Sequence, residues 1–174
     1  TEDEIRDAIE VRGTLEGLSV RMAAERGVSP GDLSAMRDCL TDIDAVLCDT
    51  DKSVDSLSSY VELNRQFHRM LMHLPGSTVI ARQISRASSL PFASPNGFLL
   101  AQASDGEAWR TLTVAQDQHW MVLAAIEGRE GTRAEALMRE HARIALRNMQ
   151  AVLRNQQALD QIPGARLIRT PVRR

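Results

Sequence analysis

"LNRQFHRML", residues 63–71, sets Asn64 and His68 four apart in the middle of an apolar run, beside Phe67 and Leu71, which are also four apart. A four-residue apolar rhythm belongs to a helix that buries one face; a strand would alternate every second residue. Residues four apart stack on one face, so Asn64 and His68 can reach a single point inside the apolar stripe. Either the two satisfy each other within a core, or they converge on something held there.

The same helical spacing extends outward in both directions. Ile5, Ala8, Ile9, Leu15, Met22 and Ala23 mark a first helix that runs to about Gly27, a good C-terminal stop. Ser29 then reads as an N-cap, with Pro30 at the first helical position and Asp32 in the first turn. Leu33, Met36, Leu40, Ile43 and Leu47 continue this second helix, which "CDTDKSVDS" breaks. The third helix holds the opening stretch and ends at "LPGS", residues 74–77. A fourth spans about 78–90, and the prolines and glycine of "PFASPNG" interrupt the pattern after it. A short helix is expected at 97–103, then long ones over about 106–127 and through Ala134 to Leu153. No internal repeat or period-2 pattern occurs, so the fold class is all-α: an antiparallel bundle of six to seven helices. Residues 1–160 form one domain, and "PGARLIRTPVRR" lies in a basic tail over 161–174.

Bulk composition narrows the function. Apolar residues make up 43% and charged ones 25%, as in ordinary soluble proteins. The net charge of −2 carries no footprint for a phosphate backbone. No apolar run approaches the ~20 residues of a membrane span, and no signal peptide opens the chain. Cys39 and Cys48, nine apart, match neither a CxxC metal pair nor a disulfide framework and read as thiols of a reducing compartment. The expected location is the cytoplasm.

Of four histidines, three fall on inward stripes: His68 on the third helix, His119 on the fifth long stretch, His141 on the last. A lone histidine on an apolar face is usually a satisfied core residue. Three on three helices of one bundle fit a shared divalent ion, since an unpaired buried polar group costs ~1–3 kcal/mol and imidazole suits Zn, Ni, Fe and Mn. His73, near the end of its helix, is expected to face solvent. Arg12 and Glu16 share the buried face of the first helix with Ile5, Ile9, Leu15 and Ser19. They read either as an ion pair at the core's edge or as a guanidinium gripping a ligand's carboxylate.

"EVRGTLEGLSVRMAAERG" (10–27), "LNRQFHRML" (63–71), "QHWMVLAAIEGRE" (118–130) and "AEALMREH" (134–141) resemble the FCD domain. That domain is the effector-binding and dimerising half of FadR-type, GntR-family bacterial transcription regulators. The resemblance covers about residues 4–153 and implies a helical bundle with a central metal and ligand cavity. It implies Asn64, His68, His119 and His141 as metal ligands, with Asn64 where many relatives carry aspartate, and Arg12 and Glu16 as effector-binding residues. A neutral amide is the weaker ligand. Zn or Ni is the first expectation for the ion, Mn or Fe the second.

The function implied is a ligand-sensing domain, not an enzyme. It would form a homodimer and bind a small organic acid, and it would control operator DNA through a winged helix-turn-helix domain absent from this chain. "PFASPNGFLLAQ" is placed near the subunit contact or as a cavity lid. Two other readings compete: a three-histidine metalloenzyme that activates water, and a metal-free helical interaction module. Against catalysis, the chain has no HExxH and no ExxH pair of the di-iron type.

Overall fold

Thr1 starts the first helix with a capping box: its hydroxyl accepts the Glu4 backbone N–H at 3.3 Å, while the Glu4 side chain turns back to the chain start. The computed structural model describes residues 1–90, 92–97, 99 and 106–155. Among them are six helices and no strand: α1 (Glu2–Arg26), α2 (Pro30–Cys48), α3 (Val54–His73), α4 (Thr78–Ser88), α5 (Gly106–Glu127) and α6 (Gly131–Leu153). The chain is thus an all-α bundle. Of the short helix expected at 97–103, Gly97 and Leu99 are turn and bend, and the other positions lie outside the described residues, as does the 161–174 tail.

The ends obey the sequence chemistry. Gly27 closes α1 at φ +87°, where an L side chain would be strained and its Cβ would meet the Arg129 guanidinium at 2.6 Å. Ser29 accepts the Asp32 N–H at 3.1 Å with Pro30 at N1. Ser53 and Ser77 cap α3 and α4 in the same way. α4 ends at Ser88, just short of the expected Leu90, where the Ser89 hydroxyl donates to the Arg86 carbonyl.

α1 occupies the centre and touches α3, α4, α5 and α6. It runs antiparallel to α6 with almost no gap, because Gly13 and Gly17 bring the two backbones together. A Cβ on Gly13 would stand 2.6 Å from the Ala142 Cβ, and one on Gly17 would stand 3.2 Å from the Glu135 carbonyl. Antiparallel contacts also join α2 to α5, through Arg37–Glu127 near one end and Asp44–Trp120 further along. The main core gathers Met36, Leu40, Tyr60, Phe67, Leu112, Leu123 and Met138. A smaller one joins Ile5 and Ile9 to Met149 and Val152. Cys39 and Cys48 are free thiols, one buried and one exposed. No helix among the described residues is long and apolar enough to cross a membrane.

Candidate metal centre

Three helices deliver one histidine each to the same buried point. His68 of α3, His119 of α5 and His141 of α6 are 6%, 0% and 7% exposed. The His141 Nε2 lies 3.1 Å from the His119 Nε2 and 3.3 Å from the His68 Nε2. One potential ligand atom from each histidine falls within 4.8 Å of the others. Phe67 packs against the His119 ring at 4.4 Å between centroids.

The surrounding hydrogen bonds decide which ring nitrogens carry protons. Gln116 donates its amide to the Leu40 carbonyl (2.9 Å) and to the Asp44 Oδ1 (2.8 Å), which fixes the amide's orientation. Its Oε1 therefore faces the His119 Nδ1 at 3.0 Å, and only an Nδ1–H can satisfy it. The Glu16 Oε1 likewise takes the His68 Nδ1–H at 3.0 Å. Burial opposes ionisation of Glu16, but the Arg12 guanidinium and His68 beside it hold its carboxyl at about 2. An imidazole protonated at Nδ1 and neutral, the form a metal ligand takes, would turn its Nε2 lone pair inward at either residue.

His141 cannot resolve this arrangement alone. Its Nε2 would then meet two lone pairs and could donate one proton to one of them, while its buried Nδ1 has no hydrogen-bond partner. Burial pushes the pKa of His119 and of His141 well below the imidazole range, so neither adds a second proton near neutrality. Two nitrogens bound ~2.0–2.1 Å from a tetrahedral zinc ion stand ~3.3–3.4 Å apart. Both the donor set and its 3.1 and 3.3 Å spacings suit a divalent ion. The three histidines could hold one.

Arg12 and Glu16 form an ion pair at 2.6 Å, with side chains 1% and 3% exposed. The guanidinium is nonetheless incompletely used, because its buried Nε has no partner. Asn64 donates Nδ2 to the Asn96 Oδ1 at 2.6 Å, and Asn96 donates its own amide to the Val61 carbonyl at 2.8 Å. That chain fixes both amides and leaves the buried Asn64 Oδ1 without a partner. Arg12, Asn64 and His141 line one cavity, which Pro95 and Leu99 help to close. Its volume is about 20 Å³, room for about one water, so a larger guest needs its walls to move.

The structure thus brings His68, His119, His141 and Glu16 together, with Arg12 on the far side of Glu16. It sets Asn64 in the adjoining cavity, tied to the loop. His73 is exposed and apart from the group. Sequence reasoning missed Gln116 and Asp44. Gln116 sits three residues before His119, on the same face, and is 2% exposed. A second polar residue on that stripe was the available signal.

A family model for the FCD domain matches residues 7–144 of the chain. No curated protein matches it.

Proposed function

The chain belongs to the FCD-domain family, and from that premise we propose a sensor in which a divalent metal and a small organic acid control a bacterial regulator of the GntR family. FCD domains are ligand-sensing regulatory domains of such regulators, which are not enzymes. The observation that carries the finer reading is the convergence of three Nε2 atoms in which two Nδ1 atoms are already committed as donors. His68, His119 and His141 would ligate the ion, with zinc or nickel favoured by the all-imidazole set and manganese or iron as further candidates. The unpartnered Asn64 Oδ1 supports the amide as a weaker fourth donor.

Neutral ligands leave the ion's charge uncancelled, which favours an anionic effector. The bound metal would polarise and anchor one oxygen of the acid. Arg12, with an unused Nε, would receive the acid group, and Glu16 would keep both Arg12 and His68 in register. The 20 Å³ cavity gives binding its mechanical consequence. An acid larger than water must displace the loop bearing Pro95, Asn96 and Leu99, or shift the helices it packs on. That displacement would be passed on to the DNA-reading winged helix of such a regulator.

A homodimer accords with the family. Val11 and Leu18 on α1, and Val114 and Met121 on α5, are exposed apolar pairs seven residues apart that a partner subunit would cover.

The test has two stages. Chelator-treated protein reloaded with zinc or nickel should take up one ion per chain, and the His119→Asn variant should not. The loaded protein, screened by thermal shift against organic acids, should then be stabilised by at least one. Failure to take up any of the four metals would overturn the reading.

A further inference from the structure

We propose a second ligand site: a cleft between α3 and α4 that binds an organic monoanion with a compact apolar body. It shares only Pro95 with the cavity lined by Arg12, Asn64 and His141, although Glu16 and His68 of the candidate metal centre also line it. Its volume, about 350 Å³, falls within the ~300–1,000 Å³ of small-molecule sites. The walls are mostly carbon, supplied by Met72, Ile84 and Pro95. Its charge is cationic: Arg65 and Arg69 stand one turn apart on α3, and the Ser85 and Ser88 hydroxyls of α4 also line the cleft.

The charges are unequally committed. Arg65 already pairs with Glu62, its Nε at 3.0 Å from the carboxylate. Arg69 makes no ion pair among the described residues. Glu16 is the one carboxylate lining the cleft, and both its oxygens are taken, by Arg12 and by His68. Both arginines act on Glu62, but only Arg65 is in ion-pair contact with it, so the Arg69 guanidinium, a planar fork suited to a carboxylate, is the less committed of the two charges.

The lining selects the ligand class. A neutral hydrophobe would cover Arg69 without pairing it. A polyhydroxy acid could use the Ser85 and Ser88 hydroxyls on one side, but the hydroxyls it turned toward Met72, Ile84 and Pro95 would lose water for carbon. A monocarboxylate with a ring or short branched chain meets both demands. Such a ligand would also touch the Glu16–His68 pair, because both residues line the cleft. The site does not depend on the proposed metal.

Benzoate is the probe, with benzamide as its uncharged isostere. The full 174-residue chain, zinc-loaded and again after chelation, is titrated with each while the Met72 and Ile84 methyl signals are followed by NMR. Benzoate should shift both methyls in both preparations and bind at least ~10-fold more tightly than benzamide, as expected for a charged hydrogen bond. Arg69→Gln, on an exposed residue, should weaken benzoate by a similar factor, and Ser85→Phe should block it by filling the cleft. Unmoved Met72 and Ile84 methyls at millimolar benzoate would overturn the proposal, as would equal binding of benzamide or an unchanged Arg69→Gln variant. Benzoate that perturbs only residues around His141, and only with zinc, would also overturn it while leaving the metal-and-acid sensor intact.

Discussion

The carbonyl oxygen of Gln116 holds the Nδ1 of His119 at 3.0 Å, and the amide nitrogen of the same side chain is anchored on α2 by Asp44 at 2.8 Å. One glutamine therefore joins the orientation of a candidate metal ligand to a helix that supplies none. Asp44 spends its second oxygen on the Trp120 indole N–H at 2.9 Å, so the α2–α5 contact is clamped at Gln116 and again one turn further along α5. Partners of this kind fix ligand tautomer and ring angle, and their loss typically costs 10–100-fold in metal affinity.

Gln116→Leu should accordingly lower zinc affinity by ~10-fold or more. It also leaves the buried His119 Nδ1–H without its acceptor, so a loss of ~1–3 kcal/mol in stability is expected alongside. Gln116→Glu, which keeps an acceptor for the His119 Nδ1–H, should recover much of the affinity. Competition with a chromophoric chelator measures both. Wild-type affinity in the leucine variant would show that His119 needs no orienting partner.

Gly13→Ala sets two effects against each other. Replacing a mid-helix glycine by alanine gains ~1 kcal/mol in helix propensity. At this position the new Cβ lies 2.6 Å from the Ala142 Cβ, a rigid neighbour that moves only with the α6 backbone. Overpacking costs ~1–3 kcal/mol, so the net result should be destabilisation, and Gly13→Val should be worse. Urea unfolding monitored by circular dichroism decides it; a more stable alanine variant would mean the α1–α6 contact has slack.

Much of this architecture is legible along the chain. Apolar spacing, the Ser29–Pro30–Asp32 start and the Gly27 stop locate helices because they are local effects, set within one or two turns. The inward placement of His68, His119 and His141 follows from phase alone. What spacing cannot carry is the pairing between helices. Gln116 was overlooked because its meaning depends on Asp44, 72 residues away. Asn64 reads as a candidate ligand, yet its amide is oriented by Asn96, from a loop whose prolines and glycine give no period to follow. The size of the cavity is equally invisible, since Pro95 and Leu99 reach it from that loop.

Acid should destabilise the metal-stripped protein in two windows. Burial lowers the native pKa of His119 and His141 below the unfolded value of 6.5, so the unfolded chain binds more protons as pH falls through 6.5. Stability is then full above that pH and declines below it, by up to about 1.4 kcal/mol per pH unit for each histidine. Glu16, lowered from 4.5 to about 2, adds a second loss as pH falls from 4.5 toward 2. Urea midpoints from pH 8 to pH 4 should fall first near pH 6.5, and His119→Asn should flatten that step. A flat profile between pH 7 and pH 5 would contradict the assignment of buried neutral imidazoles.

Arg12 and Glu16 should behave as one unit. Removing either leaves the other's charge buried, at a cost of ~3–5 kcal/mol. Arg12→Met and Glu16→Gln should therefore each destabilise strongly, and the double variant should lose clearly less than the sum. The double variant should also lose the thermal shift produced by an organic acid that stabilises the parent, because no guanidinium remains to receive it. Additive single effects would show that the two side chains are supported separately.

Asn64→Asp tests the neutral position directly, because a carboxylate there acts in two opposing ways. As a ligand it donates charge to the ion and should tighten metal binding, measured against a chelator. As a neighbour of Asn96 it removes the Nδ2–H that now donates at 2.6 Å, and it sets a carboxylate oxygen against the Asn96 Oδ1. Asn96 cannot simply rotate its amide to compensate, since its Nδ2 is committed to the Val61 carbonyl at 2.8 Å. Turning the amide would break that bond and set the Asn96 oxygen against the Val61 carbonyl, at a cost of ~0.5–1.5 kcal/mol or more. The loop bearing Pro95 and Asn96 should therefore loosen, with faster amide exchange at Asn96 and Gly97. A carboxylate ligand also cancels part of the charge that attracts an anionic effector. The expected outcome is a protein that binds zinc more tightly, holds its loop less firmly and responds more weakly to organic acids. Metal affinity unchanged from wild type, with the loop still protected, would place residue 64 outside the coordination sphere.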